Sequence, residues 1–200
     1  MTENTIKNRI YGNGRGWVFS PNHFQDIGSP NSIRVALYRL EEKKIIRRLA
    51  HGFYDYPKKH KTLGMLPPAP EKVAQALAHR DQVRIQPAGA YAANLLGLTE
   101  QVPAKIIFLT EGSTKKILIG KQVIVFKKTT PKNMKMAGTI SGLLVQALKN
   151  IGRQKITPQM IRRLKTVFKP EHYQQLKKDI SFMPQWVAQL VQKEFLKKDI

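Results

Sequence analysis

Val18 to Pro57, VFSPNHFQDIGSPNSIRVALYRLEEKKIIRRLAHGFYDYP, decides the fold. Ser20-Pro21 and Ser29-Pro30 each put a hydroxyl at an N-cap position, with proline at the first helical position, where its missing N–H is not needed. Two helix starts are thus written nine residues apart. Gly28 stands between them and is expected to close the first helix in the left-handed conformation. The second helix is predicted from Pro30 to about Lys44. In it Ile33, Ala36, Leu37 and Leu40 fall at i, i+3, i+4 and i+7, a single apolar stripe. Ile45–Ala50 and Phe53–Tyr56 are β-prone runs around His51-Gly52, a hairpin signal. A short strand, two helices across a tight turn and a basic hairpin are the order of a winged helix-turn-helix.

In such a fold the N-terminal turns of the second helix enter the major groove. Asn31, Ser32, Arg34, Val35 and Tyr38 are therefore the candidates to reach base edges, with Arg39 beside them. Arg47 and Arg48 on the hairpin are candidates for the phosphate backbone, and Lys58 and Lys59 follow directly. A solvated face would be the bland reading of any lone amphipathic helix; this one is accompanied by a basic hairpin.

Charge points the same way. Thirty-five Lys and Arg against 13 Asp and Glu give a net +22 in 200 residues, which calls for a polyanionic partner. The excess is spread: 11 basic and 5 acidic residues in 1–60, 10 and 4 in 61–130, and 14 and 4 in 131–200. Apolar residues interleave throughout, so no segment reads as a disordered basic tail. The absence of cysteine removes disulfides, thiolate metal sites and thiol nucleophiles and fits a reducing cytoplasm. The polar N-terminal stretch carries no signal-peptide pattern, and no apolar run is long enough for a membrane span.

Thr2–Tyr11 is predicted as a first helix, with Ile6 and Ile10 facing the two that follow. The Gly12–Gly16 pentad lacks the strand-to-helix setting of a phosphate loop and reads as a connector, with Arg15 a candidate phosphate contact. Residues 1–57 are therefore assigned to the DNA-binding domain. Pro57–Pro70 holds four prolines, one glycine and three lysines, so 58–70 is read as a linker. Residues 71–200 form the second domain. There Val73, Ala76 and Leu77 mark a short helix, and Val83–Gln86 a strand. The small residues from Pro87 to Leu98 suggest a closely packed helix, started by Pro87 and stopped at Gly97, rather than a ligand site. Lys105–Leu109, Lys115–Ile119 and Gln122–Lys127 have the period of strands. Helices are expected over about 137–150, 158–168, 170–179 and 184–196. The expected class is α+β: an N-terminal winged helix-turn-helix, then a mixed domain with a small, mainly antiparallel sheet and a helical part from about 136 to 200.

An enzyme needs a constellation of groups, and none assembles. The five histidines are scattered, with no metal-binding pair. Gly112-Ser113 resembles the opening of a nucleotidyltransferase signature, but no carboxylate follows before Glu171. No catalytic residue, metal or cofactor is expected.

Three linked stretches, SPNSIRVALYRLEEKKIIRRLAHGFYDYP, PPAPEKVAQALA and QPAGAYAANLLGLTEQVPAKIIFLTEG, resemble the AbiEi-type antitoxins of abortive-infection systems over about residues 5–150. The resemblance implies a winged helix-turn-helix that binds the operon's own promoter. It also implies a C-terminal α/β region that protects against a nucleotidyltransferase-like toxin, in type IV fashion, without a stable complex. Residue by residue it places DNA contacts on Asn31, Ser32, Arg34, Tyr38, Arg39, Arg47 and Arg48. The other readings of the residues are a basic nucleic-acid-binding module that senses shape, and a stand-alone regulator without a cognate toxin.

Overall fold

The computed structural model describes residues 2–196, an α+β chain. Packing divides it into two units, residues 1–83 with 117–122, and residues 84–116 with 123–200.

The first unit begins with α1 (Thr2–Asn13), β1 (Val18–Phe19) and a 3-10 turn (Pro21–Phe24). Next come α2 (Pro30–Glu42), β2 (Arg47–Ala50), β3 (Phe53–Asp55), β4 (Lys59–His60), β5 (Gly64–Met65) and α3 (Pro70–Asp81). Ile6 and Ile10 of α1 meet Ile33, Ala36, Leu37 and Leu40 of α2 in one core, closed by Phe19, Phe24 and Ile46. The apolar stripe of α2 is buried as its spacing requires. β1, β3 and β2 form an antiparallel sheet in that order, with a register shift between Arg48 and Ala50.

Three expectations are corrected here. The first of the two helix starts yields a single 3-10 turn. Phe24 is pulled into the core edge-on to Phe19, while Asp26 just beyond is held by the Arg9 guanidinium at 2.6–2.7 Å, and these anchors leave no room for a second turn. Gly28 is not left-handed. Its lack of a side chain serves a close approach instead, since a Cβ there would stand 2.8 Å from Ser32 Oγ and 3.3 Å from Thr2. Finally, the 58–70 linker is ordered: Lys59 pairs with Met65 and His60 with Gly64, and Leu66 N–H donates to the Lys58 carbonyl at 2.9 Å. Its prolines flank this hairpin without interrupting it, which is where a strand tolerates them. The domain boundary moves accordingly. α3 packs on β1 and the 3-10 turn, burying Val73, Ala74, Ala76 and Leu77, so it belongs to the first unit.

The second unit contains β6 (Ile85–Ala88), α4 (Gly89–Leu95), β7 (Lys105–Thr110) and β9 (Gln122–Lys128). Between the last two runs β8 (Lys115–Ile119), whose residues 117–119 group with the first unit. Four helices follow: α5 (Ile140–Ile151), α6 (Pro158–Val167), α7 (Pro170–Asp179) and α8 (Gln185–Val191). Sheet order is β6-β7-β9-β8. β6 pairs antiparallel with β7, β7 pairs parallel with β9, and the two-residue turn Gly120-Lys121 fits an antiparallel β8–β9 pair. Pro87 does not start a helix as expected; it lies in edge strand β6, opposite Phe108. An edge strand can spare the N–H that proline lacks. Gly89, at φ +64°, makes the turn into α4. The small-residue stretch behaves as its composition suggests, with Ala92 and Ala93 of α4 buried with α5 in the unit's core. Gly142 on α5 admits nothing larger, because a Cβ would collide with the Met136 carbonyl and stand 2.7 Å from the Gln86 amide oxygen. No helix of the described residues is long and apolar enough to cross a membrane.

Candidate nucleic-acid interface

α2 is capped at its start by Ser29, whose Oγ accepts the Ser32 N–H at 3.3 Å, with Pro30 in the first turn. Below that cap the helix is two-sided. Ile33, Ala36, Leu37 and Leu40 are 3 % exposed or less, whereas Asn31, Arg34, Val35, Tyr38 and Arg39 all face solvent. Val35 is 41 % and Tyr38 61 % exposed. A bare valine and tyrosine among two arginines and an asparagine make a face that offers apolar contact, hydrogen bonds and positive charge together. Arg34 is partly ordered, its Nε donating to the Pro30 carbonyl at 3.2 Å, which leaves the outer edge of its fork open. Arg39 lies 3.8 Å from Glu3, a carboxylate that Lys43 grips at 2.5 Å. The Lys43 hydrogen bond lowers the Glu3 pKa.

Ser32 departs from its expected role. Its hydroxyl donates to the Ser29 carbonyl at 2.9 Å and stands 3.2 Å from Ser29 Oγ, so the side chain is engaged in the helix start. Substituting Ser29 with alanine is expected to cost about 1 kcal/mol, the usual value of an N-cap, read as a lowered thermal midpoint.

The hairpin β2–β3 turns at His51-Gly52, with Gly52 at φ +71°. Its two arginines part company. Arg48 is exposed, with Nη2 3.3 Å from His51 Nδ1. Arg47 points the other way: Nε and Nη2 clamp both oxygens of Asp55 at 3.1 and 2.7 Å, and Nη2 also reaches the Leu66 carbonyl at 2.9 Å. Asp55 is 1 % exposed, and burial holds its carboxyl above the ordinary range although Arg47 pulls against it. Freeing Arg47 for a phosphate would strand that carboxyl, so Arg47 is a structural residue. Adjacent residues of a strand face opposite sides, and that rule applied to Arg47-Arg48 is the signal that separates them.

Lys58 and Lys59 are exposed, and they open a feature hidden by the linker reading. The β4–β5 hairpin carries Lys59, His60 and Lys61 in the open, with Leu63 73 % and Met65 46 % exposed at its tip. His60 Nδ1 lies 3.3 Å from the Thr62 and Leu63 N–H groups, which donate to it and tighten the turn. Gly64, the one glycine between the flanking prolines, was the available sign of a turn, and it takes φ +71°.

Behind β1, His23 stacks on His79 with centroids 3.9 Å apart. Burial, with His79 adding to it, lowers the His23 pKa to about 4. His23 Nδ1 accepts the Ser20 N–H at 3.2 Å. Among the described residues no three His, Cys, Asp or Glu side chains gather as a metal site would require.

The structure thus gives α2 one face sealed in the core and one exposed face that carries Arg34 and Arg39. A protein-family profile described as a family of unknown function, DUF6088, matches residues 5–176, and the chain belongs to that family. No curated protein matches it.

Proposed function

We propose that the chain is a DNA-binding transcriptional regulator whose first unit acts as a winged helix-turn-helix. The observation that carries this reading is the outward face of α2, where Val35 and Tyr38 stand bare beside Asn31, Arg34 and Arg39 while the opposite face is sealed in the core. α2 would lie in the major groove of double-stranded DNA, and the β2–β3 hairpin would set Arg48 on the backbone, with Lys58 and Lys59 as further phosphate contacts. The resemblance to AbiEi-type antitoxins extends the reading. In it the protein works in the cytoplasm, represses its own promoter, and through its second unit protects against a nucleotidyltransferase-like toxin without a stable complex.

The test is a titration of a DNA duplex at several salt concentrations. Arg47 no longer counts among the contacts, so Arg34, Arg39, Arg48, Lys58 and Lys59 supply about three to five, for a log–log slope of about −3 to −4.5. A flat response would refute the reading. Equal affinity for every duplex would favour the other reading, a basic module that senses shape.

A further inference from the structure

We propose that the first unit also binds a small organic anion, its phosphate or carboxylate head held by Arg15, Lys58 and Lys72 and its apolar body lodged against Trp17, Pro67 and Pro68. These residues line a cavity of about 670 Å³ that lies wholly within the unit. Its size falls in the range of small-molecule sites, and its walls combine apolar side chains with an equal share of polar ones, as an amphipathic anion needs.

The charge balance selects an anion. Arg15 comes from the loop after α1, Lys58 from the segment after β3 and Lys72 from α3, and among the described residues none of the three is in an ion pair. The wall contains one carboxylate, Asp55, which is buried and already clamped through both oxygens by Arg47. Its charge is already paired with Arg47. His23 and His79, the remaining titratable side chains of the lining, form the stacked pair. The cavity is therefore lined by three positive charges with no free counter-charge, and concave walls concentrate that field.

Two of the cations are also held in position. The Arg15 guanidinium lies 4.6 Å from the Tyr56 ring centroid and donates to the Pro57 carbonyl at 3.0 Å. The Lys58 stem rests on Gly16, so closely that a Cβ there would stand 2.6 Å from Lys58 Cε. Gly16 has φ +92°, which a side chain would strain in any case. Cations ordered by neutral partners keep their charge available while losing less freedom when a ligand arrives.

The experiment is calorimetric titration of the full chain with adenosine monophosphate, with salicylate and with inorganic phosphate, alongside thermal unfolding in each. Saturable binding of either organic anion at one equivalent, with a raised unfolding midpoint, is the expected result. Lys72→Glu should weaken it about tenfold or more without moving the midpoint of the unliganded protein. Lys72 is exposed and outside the DNA-contacting set, so the variant tests the site and not the fold. Absence of binding by both organic anions at millimolar concentration overturns the proposal. Inorganic phosphate matching them would overturn the apolar half of it, leaving a plain anion site. Displacement of the organic anion by an equivalent of short DNA duplex would make the cavity part of the nucleic-acid interface and overturn a separate ligand site. Each outcome is read from ligand binding itself, so failure here leaves the DNA-binding proposal standing.

Discussion

With α2 as the proposed reading helix, replacing Arg34 with alanine is expected to cost about 1–3 kcal/mol on a selected DNA site, and replacing Tyr38 as well should bring the loss to a hundredfold or more, about 2.7 kcal/mol. Both side chains project from the face of α2 that the core leaves free, Tyr38 at 61 % exposure, so neither substitution opens a cavity. Thermal unfolding should be nearly unchanged while discrimination between specific and random duplexes collapses. Arg48→Ala should weaken both duplexes alike, since a backbone contact carries no base information. Arg47→Ala is expected to behave differently again. Its fork satisfies a carboxyl that is 1 % exposed, so its loss should appear first in the unfolding midpoint. Fluorescence anisotropy on both duplexes, with unfolding curves beside it, separates the four variants. If Arg34→Ala/Tyr38→Ala bound the specific site as tightly as the parent, α2 would not be the reading element.

Periodicity made α2 legible in the sequence, because Ile33, Ala36, Leu37 and Leu40 have no other arrangement that buries them together. The same rule marked its exposed face without any structure. What it could not show is what a polar side chain is already doing. Ser32 and Arg34 are two residues apart on one helix, yet one is bound into the cap and the other keeps an open fork. Arg47 and Arg48 are neighbours, yet a buried acid eight residues away in sequence claims the first. Such pairings are tertiary. Proline density is an unreliable sign of a linker for a related reason: Pro57, Pro67 and Pro68 stand outside regular structure and Pro70 opens α3, while residues between them pair as β4 and β5. α3 groups with the first unit, and its apolar stripe alone records that it packs, not on what.

Acid is expected to destabilise the first unit through His23. Its pKa falls from the ordinary 6.5 to about 4 in the folded protein, chiefly because burial penalises the imidazolium, with His79 stacked against it. A base with a depressed folded pKa binds fewer protons folded than unfolded between those two values. Above about pH 6.5 both states are neutral and His23 has no effect; as pH falls towards 4 the unfolded chain takes up the proton first and stability drains away. The gap of about 2.5 units sets an upper bound of about 3 kcal/mol once pH is below both values, and solvent reaching the half-buried ring brings the effect below it. His23→Gln isolates the effect. At the third position of the turn that Ser20 begins, glutamine can accept the Ser20 N–H as His23 Nδ1 does, keeping the capping box while removing the titration. Carboxylates with lowered pKa, such as Asp26 beside Arg9, contribute acid sensitivity of their own, but they are common to both proteins and cancel in the difference. Denaturant midpoints at about pH 7, 5.5 and 4 should therefore diverge, the parent losing about 1–3 kcal/mol more than His23→Gln by the lowest value. Parallel curves would mean that His23 is protonated in the fold as readily as outside it, and that the stacked pair with His79 admits a charge.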